Sequence, residues 1–208
     1  LSLLPGRRME LSGQTALSGG RIHWRRGETA LDVNLQEVTL SGRWRGGMSH
    51  SAAQMAAGVL SAESRVTGSA RGTVAGKSVN VPYGEFRFSG NERGMTAWAR
   101  ISAVGGGRVE GNFSSAGPAR LSLPETGDVN LQWEGIDIAL LTAWLPSGIR
   151  ADGRLSGRGA GRLLPGREFD LAGNAAWSGG RLRWQEPGEE IGADLRNATA
   201  SWEWHGGV

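Results

Sequence analysis

Apolar and polar residues alternate in short runs along most of this chain. Leu31, Val33 and Leu35 are separated by Asp32 and Asn34, and Val38, Leu40, Gly42 and Trp44 continue on the opposite parity. Successive side chains of a strand point to opposite faces, so this pattern predicts a strand whose phase changes at a bulge near Gln36-Glu37. The same period of two recurs at Val79 and Val81, Phe86 and Phe88, Val109 and Phe113, Leu121 and Leu123, and Val129, Leu131 and Trp133. Met95, Ala97, Ala99, Ile101 and Ala103 share one parity, leaving Trp98 and Arg100 on the other. The clearest alternation runs over 150–163, where Ala151, Gly153, Leu155, Gly157, Gly159, Gly161 and Leu163 oppose Arg150, Asp152, Arg154, Ser156, Arg158 and Arg162. One face of such a strand meets water and the other does not.

Two stretches carry helical signals. Residues 137–144 begin with Asp137, an N-cap candidate, and end before Pro146, which predicts a two-turn helix capping one end of a strand layer. Residues 51–57 are rich in Ala and sit between glycines, a weaker signal for a second short helix. The fold class predicted is mainly β: an elongated array of antiparallel strands with one or two short helices.

The array repeats. Leu3 to Trp24 align without a gap on Leu163 to Trp184 at an offset of 160, with 13 of 22 positions identical. Chance gives roughly one to three matches in a chain this rich in glycine. After a slip around Pro187 the offset resumes, pairing Leu35 with Leu195, Thr39 with Thr199, Ser41 with Ser201 and Trp44 with Trp204. Related units therefore occupy 3–44 and 163–204. A self-contained repeat domain more often ends in polar capping units, so residues 1–208 read as one continuous β-repeat segment of a longer protein.

Composition sharpens this picture. Glycine makes up 35 of 208 residues without a strict period, against a usual share of roughly 7%, which excludes collagen and suits strands with turns and bulges. Nine tryptophans and 38% hydrophobic residues supply apolar surface that a disordered chain lacks. Lys77 is the single lysine among 23 basic residues, and 20 acidic residues spread along the chain leave a net charge of only +3. That balance does not call for nucleic acid, which needs a one-sided basic patch. The absence of cysteine removes disulfides, thiolate nucleophiles and zinc-thiolate sites, and no apolar run is long enough to span a membrane as a helix.

Candidate chemistry is sparse. His23, His50 and His205 lie far apart, none with a carboxylate or second histidine at metal-ligand spacing. Gly76-Lys77-Ser78 fails as a phosphate loop, because Arg71 occupies the position that requires glycine and a strand pattern follows instead of a helix. Gly157-Arg158-Gly159-Ala160-Gly161 lacks the dinucleotide spacing. No Ser-His-acid set or close carboxylate pair stands out, so the expectation is no enzyme, no metal and no cofactor. Trp24, Trp44, Trp133, Trp184, Trp202 and Trp204 fall at strand ends or alternating positions, as packing anchors or as the lining of a ligand channel.

A family resemblance accompanies this texture. The series Trp98-Ala99-Arg100, Gly106-Gly107-Arg108-Val109-Glu110-Gly111, Gly127-Asp128-Val129-Asn130-Leu131-Gln132-Trp133, Leu140-Leu141 to Leu145-Pro146 and Gly153-Arg154-Leu155-Ser156-Gly157 resembles the TamB family. These are the translocation and assembly module proteins of Gram-negative bacteria, relatives of the AsmA-like group. The resemblance is strongest from Met95 to Trp184 and rests on strand-repeat texture. It implies a periplasmic protein anchored to the inner membrane by a segment outside this chain, with strands rolled into an open β-taco, a curved groove lined by apolar side chains. It also implies an outer-membrane barrel partner met through regions outside this chain.

The expected function is outer-membrane biogenesis, by shielding phospholipid acyl chains between the two membranes, by assisting outer-membrane protein (autotransporter) assembly through strand pairing, or both. An acyl chain in water costs about 0.8 kcal/mol per exposed methylene, so two long chains cost on the order of 20 kcal/mol without shelter. Leu31, Val33, Leu35, Val109, Phe113, Leu121, Leu123, Val129, Leu131 and Leu155 are the expected groove lining. The partners are then acyl chains or nascent outer-membrane β-strands, and not nucleic acid. The alternative is a purely structural β-solenoid stalk or adhesin segment with a filled interior.

Overall fold

The computed structural model describes residues 2–4, 8–47, 58–74, 76–122, 124–140, 148–166, 168–186 and 189–207. They form a single antiparallel sheet of twelve strands. In chain order these are β1 (Ser2–Leu4), β2 (Arg8–Arg26), β3 (Thr29–Gly47), β4 (Val59–Val74), β5 (Lys77–Gly90), β6 (Gly94–Ser102), β7 (Arg108–Ala116), β8 (Gly127–Asp137), β9 (Ile149–Ala151), β10 (Arg154–Leu164), β11 (Glu168–Glu186) and β12 (Glu189–Gly207). Eleven lie across the sheet in sequence order, while β9 pairs with the far end of β11, in line with β10. The sheet is open: substantial contacts join only strands that are neighbours in it.

Short turns make this meander possible. Gly27, at φ +56°, supplies the left-handed residue of a two-residue hairpin between Arg26 and Thr29. Between β5 and β6 the Asn91 side chain accepts a hydrogen bond from the Arg93 backbone N–H at 2.8 Å, a local turn that asparagine favours.

The sequence repeat is a structural one. The β2–β3 and β11–β12 hairpins have bounds offset by 160 throughout: Arg8 and Glu168, Arg26 and Glu186, Thr29 and Glu189, Gly47 and Gly207. The offset holds on both sides of Pro187, which itself lies outside the described residues. Gly19 (φ +76°) and Gly179 (φ +60°) occupy the same position in the two hairpins. Even the three-residue β1 has its counterpart, since Ser2–Glu10 and Leu4–Arg8 match the Arg162–Asp170 and Leu164–Glu168 pairs of β10 and β11.

The phase change in β3 occurs where the alternation places it. Leu35 pairs with Gly68 and Glu37 with Thr67, so Gln36 is the extra residue of a bulge. Further register shifts fall between Gly68 and Ala70 and between Leu155 and Gly157. All three abut one cross-strand row, Leu35–Gly68–Gly84–Ile101–Val109–Trp133–Gly157. Each bulge returns the apolar residues beyond it to the face they occupied before it.

One expectation needs correction. Leu121 is not on a strand: 117–122 is irregular and Leu121 is 59% exposed, because Pro118 and Pro124 bring no N–H to a ladder. Leu123 lies outside the described residues. Of the helix expected over 137–144, the described part shows a 3₁₀ turn at 138–140, where the Asp137 carboxylate accepts a hydrogen bond from the Ala139 N–H at 3.0 Å. Residues 141–147 and 51–57 lie outside the described residues. No α-helix occurs among the described residues, and none is long and apolar enough to cross a membrane.

Candidate functional site

Directly paired residues of neighbouring strands point to the same side of a sheet, so the registers sort every described side chain onto one of two faces. One row reads Leu17–Val38–Val66–Phe86–Ala99–Gly111–Leu131–Gly159–Gly173–Trp202 across ten strands. Every member is apolar or glycine. The adjacent row on the opposite face reads Ser18–Glu37–Thr67–Glu85–Arg100–Glu110–Gln132–Arg158–Asn174–Ser201. Every member there is polar.

Among the described residues nothing covers the apolar face as a second layer. No large side chain is fully buried, and Leu17 and Ile22 (both 49%), Trp24 and Trp204 (both 46%) and Phe86 (42%) stay exposed. Most of the burial comes from neighbours on the same face, and at its margin Ala119 of the 117–122 segment lies against Gly90. Aromatic rings lie over glycines of adjoining strands: Trp202 over Gly159 and Gly173, Trp133 over Gly157, Phe113 over Gly127 and Trp44 over Gly58. A Cβ at any of these glycines would collide with the ring above it. The abundance of glycine and of tryptophan is thus one feature, because a bare backbone lets a wide ring lie flat on the sheet. Trp133 and Trp202 sit side by side with ring centres 6.4 Å apart, and the Trp133 Nε1 is buried without an acceptor among the described residues.

Eight of the ten residues expected to line a groove lie on this face. They are Leu31, Val33 and Leu35 on β3, Val109 and Phe113 on β7, Val129 and Leu131 on β8, and Leu155 on β10, all half-buried. Phe113 pairs directly with Val129, and Val109 with Trp133. The β3 residues share the face but not the neighbourhood, since four strand steps, roughly 19 Å, separate β3 from β7. Leu17, Ile22, Phe86, Leu171 and Trp202 belong to the face as well. For Leu171 the signal was available, because it is the repeat counterpart of Leu11, opposite Trp44.

The polar face is tied by ion pairs. Glu85, its side chain only 7% exposed, accepts hydrogen bonds from Arg65 Nε and Arg87 Nε (both 2.8 Å) and from the Tyr83 hydroxyl (3.2 Å). The Arg65 and Arg87 bonds hold its carboxyl at about 2, against an ordinary value of 4.5. Trp98 belongs to this face, with the guanidinium carbons of Arg87 and Arg100 at 5.0 and 5.2 Å from its ring centre. Glu110 in turn binds Arg100 at 2.8 Å. His23 Nδ1 lies 2.6 Å from Asp32 Oδ1, an exposed cross-strand pair that lowers the Asp32 pKa.

Shallow depressions also lie on the polar side. One of about 540 Å³ is bordered by Arg65, Arg87, Thr96 and Trp98, and another of about 620 Å³ by Glu110, Asn130, Gln132, Arg158 and Asn174. Arg65 and Arg87 are engaged by Glu85, and Glu110 by Arg100, and among the described residues no cluster of three His, Asp or Glu side chains is placed to hold a metal ion. The apolar side is a broad, largely hydrocarbon surface. Compared with family models, curated proteins and solved structures, the chain matches none.

Proposed function

We propose that this chain is a TamB-like segment that works in the periplasm of a Gram-negative bacterium. In this reading it shelters phospholipid acyl chains between the inner and outer membranes and thereby supports outer-membrane biogenesis. The observation that carries the proposal is the uncovered row from Leu17 to Trp202, apolar across ten strands. A hydrocarbon tail laid on it removes methylenes from water at about 0.8 kcal/mol each without any chemical step. The flat aromatic paving supports the same reading, since rings resting on glycine leave few protrusions to obstruct a sliding chain. A solenoid stalk needs a filled interior; half-exposed Phe86 and Trp204 favour the shelter over the stalk.

Photoactivatable phospholipid tests this. Wild-type protein captures it on irradiation, whereas Leu131→Asp and Phe113→Asp, each placing a charge on the apolar face, lose at least most of the adduct. Asn130→Asp, one residue away on the polar face, retains it. Undiminished capture by Leu131→Asp and Phe113→Asp proteins with native circular dichroism overturns the proposal.

A further inference from the structure

The ends of β2, β3, β4 and β5 project from the sheet. β6 and β7 stop at Ser102 and Arg108, one residue past the row that contains Leu35, Gly68, Gly84, Ile101 and Val109. The four strands before them run on for about six residues, roughly 20 Å. On the apolar face this lobe carries the rows Ile22–Val33–Ala70–Val81 and Trp24–Leu31–Gly72–Val79. Beyond them, at the rim of the same face, stand Val74 and two cations, Arg26 and Lys77. The two turns are tied together, since the Gly76 N–H and the Thr73 hydroxyl both donate to the Glu28 carbonyl, each at 3.3 Å. Charge is concentrated here. Arg21, Arg25, Arg26, Arg71 and Lys77 against Glu28 and Asp32 leave the lobe at +3, the net charge of the whole chain, so the remaining strands are balanced. Among the described residues Arg25, Arg26, Arg71 and Lys77 form no ion pair.

The repeat supplies an internal comparison. Trp24 and its equivalent Trp184 are both 46% exposed, although Trp184 has β9 on one side and β12 on the other. Exposure of this ring therefore comes from its place near a hairpin tip and not from a missing neighbour. What differs is charge: Gln185 and Glu186 stand where the first hairpin has Arg25 and Arg26, and Glu189 and Glu190 where it has Thr29 and Ala30.

We infer that the lobe at the ends of β2–β5 is a docking site for the surface of an anionic lipid bilayer. Tryptophan settles at the boundary between hydrocarbon and head groups, while arginine and lysine rest their methylenes on hydrocarbon and hold their charges at the phosphates. Ile22 (49% exposed), Trp24 and Val74 (37%) enter that boundary, and Arg25, Arg26 and Lys77 meet the anionic head groups. A nucleic acid would engage the cations and leave the Ile22 and Val74 hydrocarbon in water. The site is separate from the acyl-chain reading, because it uses the tip of the sheet and needs no lipid carried along the Leu17–Trp202 row.

Flotation of the intact protein with vesicles of phosphatidylcholine alone, and of an equimolar mixture with phosphatidylglycerol, tests this. Binding to the anionic vesicles is expected, and it weakens on adding salt. The double variant Arg25→Gln, Arg26→Glu, which copies the second hairpin, lowers the partition coefficient by about 30-fold or more, at the usual contribution of each cation near a charged membrane. Leu131→Asp, far from the lobe, floats as wild type does. Because the chain has no cysteine, an environment-sensitive dye on Val74→Cys reports entry into the boundary, and the same dye on Ile191→Cys near the second tip stays in water. Failure to bind anionic vesicles, or binding indifferent to phosphatidylglycerol or to the double variant, overturns the inference. So does loss of flotation in Leu131→Asp or an equal dye response at position 191, either of which assigns the contact to the broad apolar face.

Discussion

The contact between Trp202 and Gly159 allows a quantitative test of why glycine and tryptophan occur together. A Cβ at Gly159 would lie 2.7 and 2.8 Å from two ring carbons of Trp202, with the nearest backbone atom at 3.5 Å. Carbon atoms prefer roughly 3.5–4.0 Å, so Gly159→Ala must displace the ring by about 1 Å. Overpacking of this kind costs about 1–3 kcal/mol. Trp202→Ala removes a ring that covers two strands, at a cost of about 2–3 kcal/mol, below that of a fully enclosed tryptophan because Trp202 is half-buried. In the double variant the obstacle is gone, and alanine in a strand interior is better than glycine by about 0.5–1 kcal/mol. Adding Gly159→Ala to Trp202→Ala therefore stabilises, and the coupling is about 1.5–4 kcal/mol in sign opposite to additivity. Urea unfolding followed by far-ultraviolet circular dichroism measures all four corners of the cycle. Additivity within about 0.5 kcal/mol refutes the idea that the ring rests on the glycine.

Further outcomes follow from the polar face and the bulges. The Glu85 carboxyl is held near 2 against 4.5 when unfolded, so its stabilisation is fully present above 4.5 and is lost as pH falls through about 2. Glu85→Gln accordingly lowers the urea midpoint at pH 7, and the gap from wild type closes on acidification; a gap that persists at pH 2 contradicts the assignment. Gly19 and Gly179 have left-handed backbones and open space around a would-be Cβ. Alanine at either position costs about 1–2 kcal/mol from conformation alone, and the two costs agree because the positions are equivalent. Unequal losses in chemical denaturation refute that equivalence.

Much of this architecture is readable from residue order. Alternation marked the strands, and the parity change after Leu35 marked the Gln36 bulge, because a buried face tolerates no slip. The 160-residue offset anticipated two matching hairpins. The limits are equally physical. Leu121 carries a strand period, yet period alone ignores the missing N–H groups of Pro118 and Pro124. The placement of rings over glycines needs cross-strand register, which no single strand encodes. Trp98 shared the polar parity in the sequence, but its guanidinium neighbour Arg87 sits on a different strand. Glu85 was only half visible: Arg87 follows it by two residues on the same strand, but Arg65 joins them only once β4 and β5 are aligned.

Among the described residues a strand has lateral partners and no second layer packed on it. Resistance to force is then a property of each seam by itself. Tension applied between β2 and β12 loads the seams in series, and the shortest, such as those bordering the nine-residue β6 and β7, part first. Extension proceeds as a staircase of small ruptures, and relaxation re-forms one hairpin at a time. The sheet behaves under load as a zip fastener does, able to give locally while the rest stays closed.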